Sequence, residues 1–86
     1  MSQYLLKHKN ITLTAQPSAA VSACGYNCLS KEFLVIYQGE PEVVYVYEQV
    51  TLEEAADFEC AESKGRFVNQ VIKRHPYHKE ILGESP

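Results

Sequence analysis

The spacing of apolar residues changes period along the chain, and the changes mark the elements. Ile11-Thr12-Leu13-Thr14-Ala15 alternates and predicts a strand inside an amino-terminal extension, residues 1–16. Tyr4-Leu5-Leu6 before it fits a strand or a helical turn. Pro17-Ser18 marks a boundary, and Ala19 to Asn27 reads as a short strand. The polar run from Asn27 to Lys31 is a turn. Glu32 to Gln38 carries Phe33-Leu34-Val35-Ile36-Tyr37, β-branched and aromatic throughout, and is the best strand in the chain. Gln38-Gly39-Glu40-Pro41-Glu42 predicts a hairpin loop, because glycine supplies unusual dihedrals and proline forbids further pairing. Val43 to Val50 is the return strand.

Both central strands are apolar on both faces, whereas a sheet covered on one side would alternate more cleanly. The second face therefore needs a cover: the extension, a second copy of the protein, or a ligand. The loop sequence does not fix the hairpin register, so the face occupied by Tyr45 and Tyr47 stays open.

The period then lengthens to that of a helix. Thr51-Leu52-Glu53-Glu54 is a capping box, with Leu52, Ala55, Phe58 and Ala61 as the inward stripe. A second helix follows between Ser63 and His75. Phe67, Val68, Val71 and Ile72 form its apolar stripe, Ser63 its cap, and Pro76 its stop. Tyr77, Ile81 and Leu82 are expected to pack back as anchors before a loose tail, residues 83–86. The sum is one α+β domain over residues 1–86, with its core at 17–82. It has an antiparallel sheet of three to four strands, followed by two short helices on one face, and the extension is a candidate extra strand.

Composition narrows the class. With 45% hydrophobic and 22% charged residues, the 86-residue chain is expected to fold as a small globule. No apolar run approaches membrane-spanning length, and the greasy patch at the amino terminus is too short for a secretory signal, so a cytoplasmic location is expected. Asn10-Ile11-Thr12 fits a glycosylation acceptor and is set aside on the same ground. The net charge of −3 hides an asymmetry. Nine acids and no Lys or Arg lie between Glu32 and Glu62; five bases and no acid lie between Ser63 and Lys79. Either the two blocks cancel within the fold, or the bases form a face for phosphate. Acids on the same surface as the bases would count against a polyanion partner.

In order, Gly25-Tyr26, Tyr45-Val46-Tyr47, Ala61-Glu62-Ser63-Lys64-Gly65-Arg66-Phe67-Val68-Asn69, Ile72-Lys73 and Pro76-Tyr77 resemble the KTSC domain across roughly Pro17 to Ile81. That family is named for a module at the carboxyl end of some lysyl-tRNA synthetases and also occurs alone in small bacterial and phage proteins. The resemblance implies an RNA-binding role through that association. Thr51 stands where the family usually has a proline, and Asn69-Gln70 where it often has Asn-Arg.

The candidate chemistry is that of binding. Ser63, Lys64, Gly65 and Arg66 can converge on a phosphate at the start of the second helix, with Lys73 and Arg74 at its end. Their plain reading is an ordinary helix start with solvated bases. Tyr45, Tyr47 and Tyr77 are stacking or interface candidates, or core and dimer packing. Asn69 makes a polar core bond or reads a ligand. Cys24, Cys28 and Cys60 form an odd set, read as free buried thiols, and no metal or cofactor is implied. No nucleophile with a recognisable base, paired carboxylates or phosphate loop is present, so an enzyme is not expected. The leading expectation is a noncatalytic nucleic-acid (RNA) module using the basic second helix. The alternative is a protein-interaction or nucleotide-binding module acting as a homodimer.

Overall fold

In the computed structural model, which describes residues 5–8, 11–16 and 19–82, six strands form one antiparallel sheet in chain order. They are β1 (Leu5–His8), β2 (Ile11–Ala15), β3 (Val21–Asn27), β4 (Glu32–Tyr37), β5 (Val43–Tyr47) and β6 (Tyr77–Ile81). Helix α1 (Leu52–Cys60), helix α2 (Lys64–Gln70) and a 3-10 turn (Ile72–Arg74) lie between β5 and β6. The α+β class and the two helices agree with the sequence, but the strand count exceeds the expected three to four. The extension contributes two strands, and the segment expected to act as an anchor is the sixth, so the helices precede the last strand. Pro17-Ser18, Asn10 and the tail at 83–86 lie outside the described residues.

Local sequence accounts for the turns. Asn27 Oδ1 accepts the Leu29 and Ser30 amides at 2.9 and 3.4 Å, and Lys31 closes the turn with φ 61°. The β4–β5 loop is held by the Glu40 amide donating to the Tyr37 carbonyl at 3.0 Å and the Val43 amide to the Glu40 carbonyl at 3.2 Å. It pairs Phe33 with Tyr47, Leu34 with Val46 and Val35 with Tyr45. On α1 the capping box forms as read: Thr51 Oγ1 accepts the Glu54 amide and Glu54 Oε1 accepts the Thr51 amide, each at 3.1 Å.

The double-sided apolar strands now have two covers. Phe33, Val35 and Tyr47 face the helices and pack with Phe58, Val68 and Ile72. Leu34, Ile36, Val44 and Val46 face the other way and pack with Ile11 and Leu13 of β2. The extension, rather than a second copy or a ligand, therefore covers the second face. The sheet curls to allow this. A β-bulge separates Val21 from Ala23, and β2 passes so close to Gly25 that a Cβ there would lie 2.4 Å from the Thr12 carbonyl oxygen. The curl brings the two outermost strands together, where His8 Nε2 meets Glu80 Oε1 at 2.6 Å.

The helices depart from expectation in detail. Ala55 and Phe58 are buried on α1, but Leu52 is 65% exposed. α2 is capped by Ser63, whose Oγ accepts the Arg66 amide at 3.3 Å, and ends at Gln70, so Lys73 and Arg74 fall in the 3-10 turn. Tyr77 and Ile81 are 53% and 47% exposed on β6, and only Leu82 packs back against the inner cluster.

Candidate functional site

The basic residues read from the sequence do not converge. Lys64 folds back onto the end of α1, where its Nζ donates to the carbonyls of Phe58, Glu59 and Ala61 at 2.7, 2.8 and 3.1 Å. It also lies 5.0 Å from the Phe58 ring centroid. The last turn of α1 has no basic residue, so Lys64 supplies the cation that this helix end favours. Ser63 is used as a cap, Gly65 is half-buried, and α2 is only seven residues long. A phosphate site built on Ser63, Lys64, Gly65 and Arg66 together is thus not assembled. Arg66 and Arg74 are exposed. Asn69 is exposed too, which removes the core-bond reading.

The residues that do come together are tyrosines. The register places Tyr77 opposite Tyr47 and Lys79 opposite Tyr45, so four strand residues share the helix-side face. Tyr37, two residues beyond Val35 on β4, joins the same row. Tyr45 and Tyr47 stack with centroids 6.3 Å apart and planes at 17°. Tyr77 lies 5.7 Å from Tyr45 and 5.4 Å from Tyr47. Tyr37 meets Tyr45 edge-on at 5.0 Å, and its hydroxyl is 2.8 Å from that of Tyr47.

Two ammonium groups lie over these rings: Lys73 Nζ is 5.2 Å from the Tyr37 centroid and Lys79 Nζ 5.4 Å from that of Tyr45. Glu40, in the β4–β5 loop, accepts the Tyr45 hydroxyl at 2.7 Å. Tyr37, Glu40, Tyr45, Tyr47, Lys73 and Tyr77 line an open cleft of about 420 Å³. The environment holds the Tyr37, Tyr45 and Tyr47 hydroxyls protonated. Burial pushes Tyr37 and Tyr47 up from the ordinary phenol range, and the hydrogen bond to Glu40 does the same for Tyr45. These three tyrosines therefore act as rings and hydrogen-bond donors rather than as anions.

Their exposures differ, and so do the parts they can play. Tyr47 is only 2% exposed and belongs to the core, Tyr45 is half-buried, and Tyr77 is open to solvent. The stacking reading thus survives for Tyr45 and Tyr77, and the packing reading holds for Tyr47. Sequence reasoning placed Lys73, Tyr45 and Tyr77 among the candidates. It missed Tyr37, Glu40 and Lys79, which only the hairpin register brings alongside.

The histidines serve the frame. His75 Nε2 is 3.0 Å from Glu54 Oε1. Burial raises the Glu54 carboxyl, but hydrogen bonds with Thr51 and His75 outweigh it and leave the group below its ordinary value. His78 lies between Glu80 at 2.6 Å and Glu48 at 3.0 Å. Cys24 is buried, but Cys28 and Cys60 are exposed, which corrects the expectation of three buried thiols. Among the described residues no His, Cys, Asp and Glu group has a metal-binding arrangement, and no helix is long and apolar enough to cross a membrane.

Comparison with known proteins follows the same outline. The family model of the KTSC domain matches residues 17–77. The crystal structure of a KTSC domain protein from Yersinia pestis is similar to this chain with a TM-score of 0.71 at 23% identity, covering 85% of this chain and 99% of that one. At that identity the likeness is one of fold. No curated protein matches.

Proposed function

The chain belongs to the KTSC domain family, and on that footing we propose that it is a noncatalytic module binding single-stranded nucleic acid, RNA in the first instance, on the tyrosine cleft. The observation that carries this reading is Tyr77, 53% exposed and packed against half-buried Tyr45, with the Lys73 and Lys79 ammonium groups over the neighbouring rings. An exposed ring offers a face to a base, and flanking cations offer charge to its phosphates. The site thus moves from the start of α2 to the row formed by β4, β5 and β6. Lys73 stays in it, Lys64 leaves it, and exposed Arg66 and Arg74 act only as diffuse positive charge. The bacterial or phage setting and the cytoplasmic location implied at the start belong to this reading, and localisation of a tagged protein checks the latter.

The acid block bears on this directly. Glu40 alone among its nine members lines the cleft, while Glu53, Glu54, Asp57 and Glu59 ride on α1. Fluorescence anisotropy with a labelled single-stranded RNA is the test. Tyr77→Ala is expected to weaken binding by about 1–3 kcal/mol, the usual value of one stacked base. Removing Lys73 or Lys79 is expected to lower the salt slope by about 0.7 each. Binding that ignores salt and all three substitutions would end the proposal.

A second reading, a protein-interaction or small-ligand module acting as a homodimer, keeps one specific support. Leu52, 65% exposed, stands on the wall of an open groove of about 350 Å³ between β2, β3 and α1, with Thr12, Thr14 and Tyr26 opposite. The inner sheet face that first suggested a dimer is already covered by β2. Sedimentation that stays monomeric at high concentration, with wild-type and Leu52→Ser protein alike, would remove the homodimer.

A further inference from the structure

Glu40 is out of place in a cleft for a polyanion. A carboxylate there repels phosphate and leaves the two ammonium groups a net charge of only +1 (2 − 1) to offer. It is nevertheless firmly placed. Its own backbone closes the β4–β5 loop in both directions, to Tyr37 and to Val43, and its Oε1 accepts the Tyr45 hydroxyl. Oε2 has no hydrogen-bond partner among the described residues, and neither Lys73 nor Lys79 is ion-paired with Glu40. An oriented carboxylate is an acceptor pair with unused capacity, and it selects for whatever presents donors to it.

Resting on the nucleic-acid reading, we infer that this cleft selects a base with two adjacent N–H donors, as on the Watson–Crick edge of guanine, and that Glu40 does the selecting. A base resting on Tyr77 or Tyr45 turns its edge toward the cleft wall, where Glu40 stands beside Tyr45. Guanine meets a carboxylate with its ring N–H and its exocyclic amine together. Adenine and cytosine each set one acceptor beside the amine, and uracil sets acceptors on both sides of its single N–H, so each of these turns a lone pair toward an anion. The cleft volume of about 420 Å³ falls in the ordinary range for small-ligand sites. Placing the carboxylate against the base edge, with the ammonium groups left to the phosphates, makes the charge arrangement consistent.

The test uses the whole protein and four uridine-rich RNA hexamers that differ only at one central position, which holds guanosine, inosine, adenosine or cytidine. Anisotropy is expected to rank guanosine tightest by about 10- to 100-fold over adenosine and cytidine, the discrimination typical of a bidentate base contact. Inosine, which keeps the ring N–H and lacks the amine, falls between. Glu40→Gln is expected to level the series, guanosine losing its advantage over adenosine and cytidine, because it removes the carboxylate that discriminates. Equal binding of all four RNAs by the wild type would overturn the selection and leave the nucleic-acid reading standing. A guanosine preference that persists in Glu40→Gln would overturn the role of Glu40. No binding of any hexamer would overturn both.

Discussion

Replacing Lys64 by Met separates the two parts this residue has been given, as a phosphate ligand in the sequence and as a helix-end cation in the fold. Methionine keeps an unbranched apolar stem of similar length over Phe58 and deletes the ammonium. Three carbonyls then lose their donor: Phe58 at 2.7 Å, Glu59 at 2.8 Å and Ala61 at 3.1 Å. A hydrogen bond to a charged group is worth about 1.5–3 kcal/mol net. The three share one cation, water reaches the Glu59 carbonyl, and the Ala61 amide still donates to Phe58 at 3.1 Å. The loss is therefore that of about one such bond, roughly 1.5–3 kcal/mol, and not three. Against the ~5–10 kcal/mol expected for a domain of this size it is a large fraction. Urea unfolding followed by far-ultraviolet circular dichroism reads it as a midpoint lowered by about 1 M or more with an unchanged slope. The RNA salt slope should not move. An unchanged midpoint together with weakened RNA binding would refute the reasoning and return Lys64 to the surface.

Two further outcomes are expected. Gly25→Ala sets a methyl 2.4 Å from the Thr12 carbonyl oxygen and about 3 Å from Ile11 and Leu13, so β2 must lift off the inner cluster; the same urea experiment should show a loss of about 2–3 kcal/mol, and a variant within ~0.5 kcal/mol of wild type would count against the close crossing. His78 is raised above its ordinary value of about 6.5 by its hydrogen bond with Glu80, against a smaller lowering by burial, with Glu48 adding to the rise. Protonation is thus favoured by folding: the stability it adds is complete below the unfolded value and is lost as pH rises through the folded one. His78→Gln should therefore cost more at about pH 5.5 than at about pH 9, by under about 1 kcal/mol because the pair is close to half-exposed, and a cost independent of pH would refute this.

What could be read from the chain was what short-range chemistry decides. Thr51 and Glu54 announce the start of α1 because both capping bonds close within four residues. Phe33 to Tyr37 announce a strand buried on both sides, and the need for a second cover followed directly. What was missed depends on partners distant in sequence. Tyr77 to Ile81 read as an anchoring segment rather than a strand, because β6 is largely exposed and its partner β5 lies some thirty residues earlier. Lys64 looked like a free base because its acceptors are backbone carbonyls, which no side-chain pattern records. The cleft was half legible: Tyr45, Lys73 and Tyr77 stood out by type. Tyr37, Glu40 and Lys79 join them only once the register is known.

The position of β6 after both helices has a consequence for how the molecule gains and loses competence. Five strands can zip up hairpin by hairpin as the polypeptide lengthens, but the ring that would greet a base arrives with the final segment, once the helical excursion has closed. Peeling that segment away removes Tyr77 and Lys79 and takes a ring from beside Tyr47, while the buried members of both apolar clusters all lie on other elements. On the proposed reading, base stacking therefore depends on the strand that comes last in chain order.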